Sequence, residues 1–295
     1  MSDLPNPAPP GAHAKRKLGL VGPGLIVILS ALFFILPLLS MARFSFQTVP
    51  MIRLGLSTLT EGWTIKGVTK AFGNPDFRTS LWLSTKLAVG TVLVTIALLL
   101  PTTLWVHLRL PKARSLVEFL TVLPYVIPPI ALVAGVLPLK PHARWFLNSN
   151  YSLIPFYAIL AMPFTFRSLD AGIRALDVKT LVDASRSLGS TWGTTLRRVI
   201  IPNMRAAIIS ASFLTAAVVL GEYTMARILL KRTLPAFMAQ YQGGEPQGGM
   251  ALALTALVAT TVLFGVLSVL TKKRLPKADR TTAVPTSQLV AEPGP

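Results

Sequence analysis

The sequence predicts an all-α fold: a polytopic membrane bundle with six transmembrane helices. Three observations lead there. Apolar residues make up 52% of the chain and charged ones only 14%, whereas a soluble protein carries about 25% charged residues. The charges bracket long uncharged runs, most of them at or above the ~20 residues with which a helix crosses a bilayer. Inside the bilayer every backbone polar group needs a partner, and a helix supplies those partners from its own segment.

In order, residues 1–17 form a Pro-rich tail ending in Lys15-Arg16-Lys17, expected to be disordered and cytoplasmic. The uncharged run 18–42 is the first span. Ser40-Met41-Ala42 has the small-x-small form of a signal cleavage site, but the apolar stretch is long for a signal peptide, which favours an uncleaved helix. Residues 43–86 are mixed in character, with Trp63, Phe72 and Phe77, and suit an interfacial segment. The second span is 87–106, followed by a basic turn with Arg109, Lys112 and Arg114. The third, 119–139, contains Pro124, Pro128, Pro129 and Pro138. Neighbouring helices can satisfy the carbonyls that prolines free, so bends are tolerated, either for packing or to shape a pathway. The fourth span is 145–166, the fifth 206–223 and the sixth 249–271, with a polar tail over 275–295.

Between the fourth and fifth spans lies a charged loop, 167–205, holding the most informative stretch of the chain. Thr180 and Asp183 have capping-box spacing at the start of a short helix, which Leu181, Val182, Ala184 and Leu188 give an oily side. Gly189 stands where a left-handed residue would end that helix. Ser190 or Thr191 can cap a second helix carrying Trp192, Leu196 and Val199, and Pro202 is expected to stop it before the next span.

The same residues resemble the EAA loop of binding-protein-dependent ABC importer permeases: Glu-Ala-Ala, three residues, Gly, nine residues, Ile-x-Leu-Pro. Here Asp183-Ala184-Ser185, Gly189 and Val199-Ile200-Ile201-Pro202 stand at that spacing, with Asp for Glu, Ser for Ala, Val for Ile and Ile for Leu. The resemblance covers the whole chain, since the apolar runs fall around the loop as the family has them. It implies a coupling helix that docks on a separate ATP-hydrolysing subunit, with Asp183, Ala184, Ser185, Gly189, Val199, Ile201 and Pro202 as contact residues. It further implies a dimer of ATP-binding subunits holding ATP and Mg, a second permease chain (the same or different) and an extracytoplasmic solute-binding protein. The plain counterpart is a solvated helical loop between two spans. Asp183 can serve as a helix cap in either case, Trp192 is expected to pack on the bundle, and positive-inside bias alone explains Arg197 and Arg198.

Six spans place both tails and the loop on one side. That side holds 18 Lys and Arg against 11 on the other, which makes it cytoplasmic in a bacterial inner membrane. The net charge of +18 is scattered between spans rather than gathered in one stripe, so a bilayer surface is the expected partner and nucleic acid is not. No cysteine is present, and His13, His107 and His142 have no metal-ligand spacing. There is no G-x-x-x-x-G-K-[ST] loop, and no paired Asp, Ser with His, or H-E-x-x-H in a span. No catalytic residue, metal or cofactor is therefore expected in this chain.

Glu222 is the one acid embedded in an apolar run. It is expected to line a cationic solute's path, to pair with Arg227, or to sit idle at an interface. Tyr223, Pro128 and Pro129 join it as candidate path or gate residues, while Lys86 and Glu118 at span ends are expected to be solvated. The Gly221-Glu222-Tyr223-Thr224 region resembles spermidine/putrescine-type permeases, a group that includes iron, thiamine and phosphonate importers, so polyamine is the cargo this resemblance implies. A proton-coupled secondary carrier with Glu222 as relay is the alternative.

Overall fold

The computed structural model describes residues 12–48, 60 and 62–272; the expectations for residues 1–11 and 275–295 lie outside them. Helix α1 (Ala12–Ser45) starts before Leu18, so residues 12–17 are helical rather than a disordered tail. No glycine or proline separates Ala12 from Leu18 to stop the helix there. Apolar side chains along it, from Leu25 to Leu39 with the exception of Leu38, are exposed, as befits a surface meeting lipid or another chain.

The expected interfacial segment divides into several pieces. Gln47 and Trp63 form an isolated antiparallel bridge, with the Arg43 guanidinium 4.2 Å over the Trp63 ring. Then come α2 (Lys66–Gly73) and the first turns of α3 (Pro75–Arg109). Helix α3 starts well before the uncharged run because Asn74 caps it, its side chain accepting from the Asp76 N–H at 2.9 Å, and Pro75 occupies the first helical position. Lys86 lies within the helix, its ammonium 5.2 Å over Trp82.

The third span is broken, not kinked. Helices α4 (Arg114–Val126) and α5 (Pro129–Val136) meet at 82°. Ile127 and Pro128 each precede a proline, and each is extended, with ψ 123° and 138°. The following proline ring disfavours helical ψ at both, and with two such residues in a row the chain turns a corner. After α6 (Arg144–Leu147), α7 (Leu153–Arg174) supplies the fourth span, starting later than expected and running past the three charges 167, 170 and 174.

Beyond α8 (Val178–Ser187), α9 (Trp192–Thr195) leads without interruption into α10 (Ile201–Gly221). Pro202 therefore does not stop the helix. A π-helical turn over Leu196–Ile200 precedes it, where the Ile201 N–H reaches back to Leu196 O and Asn203 Nδ2 covers Val199 O at 2.7 Å. The wide turn accommodates the proline's missing donor while the helix continues. The short α11 (Thr224–Ile228) and α12 (Leu234–Gly244) precede α13 (Pro246–Lys272). Among the described residues five helices are long and apolar enough to cross a membrane, or six with α4 and α5 taken as one bent span. The chain divides into a unit over 1–256 and a second from Leu257 onward, a helical stretch bearing exposed Leu257, Val258, Val262 and Leu263.

In the first unit α7 is central, packed against α3, α10 and α4. Two apolar clusters mark its two ends. One gathers Leu87, Val133, Leu153, Tyr157, Val219 and Met225; the other gathers Leu104, Phe166, Ile173, Val178, Val182 and Met204. Helices α3 and α7 thus run from the first cluster to the second, and α10 runs back. Helices α7 and α10 cross closely: a Cβ on Gly172 would lie 2.2 Å from that of Ala207, and Ser168 Oγ reaches Ala207 O at 3.2 Å. A buried Thr165–Thr215 hydroxyl pair at 2.7 Å joins the same helices further along. Small residues that let backbones approach, reinforced by polar pairs, are what hold helices together where lipid supplies no hydrophobic contrast.

Candidate functional site

The elbow begins one turn earlier than the capping box suggests. Asp177, not Thr180, caps α8: its carboxylate accepts from the Thr180 N–H at 3.3 Å and the Thr180 hydroxyl at 2.6 Å. These two donors hold the Asp177 carboxyl below its usual range. Val178 is buried in the bundle and sets the start, so Thr180 and Asp183 lie within the helix.

At the far end Gly189 has φ +82°, its N–H bonded to Arg186 O at 2.9 Å, and the Ser190 N–H reaches Ser185 O at 3.2 Å. This is a Schellman stop, whose left-handed residue glycine occupies without strain. Thr191 caps the second arm, accepting from the Thr194 N–H at 3.4 Å. The arms are locked together inside by the Ser185 and Thr195 hydroxyls, 2.9 Å apart and both buried.

The expected contact residues separate accordingly. Asp183, Ala184, Gly189 and Pro202 are exposed, whereas Val199 and Ile201 are half-buried. Ser185 is buried, so it stiffens the elbow instead of presenting a surface. Leu188, expected on the packed side, is 87% exposed and stands at the tip. The glycine stop ends α8 just beyond Leu188, so no further turn covers it. Trp192, expected to pack on the bundle, is 44% exposed and lines an apolar groove of about 330 Å³ with Trp105, Leu108 and Arg109.

Where the elbow leaves α7, a charged knot pins the foot of the bundle. Asp170 is almost fully buried and takes a two-pronged contact from Arg114, Nε to Oδ1 at 2.7 Å and Nη2 to Oδ2 at 2.8 Å. His107 Nε2 lies 2.8 Å from Oδ1, and Arg174 Nε 3.0 Å from Oδ2. Glu118, expected to be solvated, sits 3.4 Å from Arg167 and 3.9 Å from Arg114. One carboxylate thereby ties the end of α3, the start of α4 and the last turns of α7. Sequence reading missed this knot. Part of the signal was there: Asp170 stands four residues before Arg174, and His107 and Arg114 flank the basic turn between the second and third spans.

At the opposite end, Glu222 separates α10 from α11. It is buried and its carboxylate accepts from the backbone N–H groups of Met225 at 2.8 Å and Ala226 at 3.4 Å. The expected Arg227 pair does not form: the carboxylate is committed to capping α11. Helix α5, which Pro129 begins, packs against α11. Two breaks in the bundle, at Pro128-Pro129 and at Glu222-Tyr223, therefore border one packed contact, with Tyr223 exposed. Among the described residues no group of three or more His, Asp or Glu is placed to hold a metal ion.

Known proteins share this architecture. The solved chain of a bacterial ABC transporter involved in the import of the acidic polysaccharide alginate superposes with a TM-score of 0.68. The match covers 88% of this chain and 99% of that one at 15% identity, a likeness of fold. A probable ABC transporter permease protein, y4fN, of Sinorhizobium fredii is 25% identical over 215 residues, 69% of this chain but 36% of that protein. This chain thus spans about a third of that relative's length. The molybdenum transport system permease protein ModB of Mycobacterium bovis is 27% identical over 212 residues, 65% of this chain and 79% of its own. Residues 100–276, more than half of the chain and including the elbow and both breaks, match the model of a single family. The chain belongs to the binding-protein-dependent transport system inner membrane components.

Proposed function

We propose that the chain forms one half of the solute pathway of an ATP-driven importer, and that the elbow of residues 177–202 docks on a separate ATP-hydrolysing subunit. The observation that carries this reading is a stiff elbow with an exposed apolar tip. Its arms are locked by the Ser185–Thr195 pair and the Gly189 stop, and Leu188 projects with no cover among the described residues. Isolated exposed leucines are common; one at the apex of a capped, internally bonded elbow is held ready for a groove on a partner, so little ordering remains to be done on docking.

A dimer of ATP-binding subunits would hold ATP and Mg, a second permease chain would complete the pathway, and a solute-binding protein would deliver cargo on the other side. The elbow and tails are cytoplasmic on this reading, following the distribution of Lys and Arg. As for cargo, the named relatives handle molybdenum and an acidic polysaccharide. An anionic small solute accords with them better than a polyamine does. The acid expected to face a cation, Glu222, is turned onto the backbone. The same commitment leaves a Glu222 proton relay without support.

The chain has no cysteine, so a single Ser187→Cys variant carries one thiol, at the exposed end of α8. In inner-membrane vesicles with the ATPase present it should cross-link to that subunit, to an extent that changes with ATP. Leu188→Asp should abolish cross-linking without unfolding the chain. Labelling of that introduced thiol from outside intact cells would overturn the reading.

A further inference from the structure

The end of the bundle opposite the elbow carries two cations, Arg227 and Lys231, that have no counter-ion among the described residues. A cavity of about 440 Å³ opens there, lined among others by Asp76, Arg227, Lys231, Arg232, Tyr241 and Glu245. Both carboxylates are already engaged. Arg232 Nη1 lies 3.3 Å from Asp76 Oδ2, and Glu245 is paired with Lys70.

Arg227 and Lys231 remain. The Arg227 side chain is exposed and has no hydrogen bond or ion pair among the described residues. Lys231 is only 8% exposed, and its ammonium donates to a neutral acceptor, Asn148 O, at 2.7 Å. Burial first, and then the Lys140 charge, holds that ammonium below the usual lysine range. Lys140 and Arg144 border a hollow with Asn148, and none of the described residues lining it is a carboxylate. A buried cation next to further cations is costly unless an anion joins them.

The backbone sets this arrangement at a price in strain. Leu230, between the two cations, has φ +56°, a left-handed conformation that costs a leucine about 1–3 kcal/mol. The turn is closed by Lys231 N–H to Ala226 O at 2.8 Å and Leu230 N–H to Arg227 O at 3.2 Å. It places Arg227 and Lys231 on the wall of one cavity.

We propose that this cavity binds a small oxyanion of the sulfate or phosphate class, with Arg227 and Lys231 as its direct cationic partners and Arg232 and Lys140 raising the local positive potential. Arginine offers a planar fork of donors to such oxygens and lysine a compact charge. A polyamine meets repulsion here. That the bound anion is cargo rests on the importer reading; the binding itself does not.

The test uses the purified full chain in nanodiscs of zwitterionic lipid, with equilibrium dialysis of radiolabelled sulfate at low salt and phosphate as competitor. One saturable site is expected, displaced by phosphate and not by spermidine. Arg227→Gln, at an exposed position, should weaken it about ten-fold, the effect of losing one charge-assisted hydrogen bond, while Lys112→Gln at the elbow end leaves it unchanged. Lys231→Met should abolish binding, read only in protein that melts as wild type does. Absence of saturable sulfate binding, or wild-type binding by Arg227→Gln, overturns the proposal. So does an Arg227→Gln chain that binds sulfate as tightly as wild type but no longer captures an acidic solute-binding protein, which would make the patch a protein-docking face. Sulfate binding without any cross-link from the Ser187→Cys variant to the ATPase would instead sink the importer reading and leave the site standing.

Discussion

Replacing Asp170 by asparagine keeps the size of the side chain and removes its charge. The carboxylate is 3% exposed and receives Arg114 twice, His107 and Arg174. Removing one partner of a buried ion pair costs about 3–5 kcal/mol, because the remaining charge stays behind without compensation. Here the Arg114 and Arg174 side chains are 33% and 57% exposed, so water takes over part of their solvation and the lower figure, about 3 kcal/mol, applies. Arg174→Gln removes only an exposed partner four residues along the same helix, which is worth about 0.5 kcal/mol or less. Thermal unfolding of the purified chain should therefore rank Asp170→Asn far below Arg174→Gln. The Asp170→Asn, Arg114→Gln double variant should be less destabilised than the sum of its parts by about 1–3 kcal/mol, since both changes delete one interaction. Strict additivity, or an Asp170→Asn chain that melts with Arg174→Gln, would refute the claim that this carboxylate pins three helices.

Two further substitutions probe the other features. Gly189→Val puts a β-branched residue at φ +82°, where a new Cβ meets no atom within 4 Å, so its cost is backbone strain alone, about 1–3 kcal/mol. ATP-driven uptake in reconstituted vesicles should fall sharply, with Gly189→Asn retaining more because asparagine tolerates the left-handed region; normal uptake by the valine variant would remove the glycine stop from the mechanism. Glu222→Gln keeps an oxygen for the Met225 and Ala226 N–H groups, so uptake should persist with an unchanged pH profile, whereas Glu222→Leu should lose about 2 kcal/mol from the orphaned donors. A collapse of uptake in the glutamine variant would restore the proton-relay alternative.

The apolar runs report where helices cross, because backbone pairing inside a bilayer leaves few choices. They do not report where helices end. Helix α3 extends into charged sequence on the strength of Asn74 and Pro75, and α7 carries Arg167 and Asp170 because their partners Glu118, His107 and Arg114 come from α3 and α4. Such partners are remote in sequence, so no local window shows them. Proline misleads in both directions. Pro202 suggests the stop of a helix that a π turn in fact carries through, and the Pro128-Pro129 pair suggests a bend in a helix that it breaks at 82°. The difference lies in the residue before each proline: Ile127 and Pro128 take extended backbone, while Ile201 keeps helical angles beside the widened turn. Gly189 is legible because a single φ value explains it. Ser185 is not, since its burial depends on Thr195 across the elbow.

Because α9, the π turn and α10 run unbroken from Trp192 to Gly221, the elbow's second arm and the Glu222 break sit at opposite ends of one rod. Gly172 touches that rod near its midpoint, at Ala207. With a rise of about 1.5 Å per residue each half measures roughly 21 Å, so a tilt of about 10° around this contact moves either end about 4 Å. That displacement, delivered beside the α5–α11 contact, is the size of a side chain. Gly172→Ala should spoil the pivot: the new methyl carbon would stand 2.2 Å from Ala207 Cβ, forcing α7 and α10 apart against the close packing that joins them. Moving the methyl group across the interface tests this directly. The Gly172→Ala, Ala207→Gly double variant removes the clash and should recover ATP-driven uptake that Gly172→Ala loses, with ATP hydrolysis measured alongside. If the double variant is as impaired as the single one, small size at residue 172 matters for some other reason and α10 does not turn about this point.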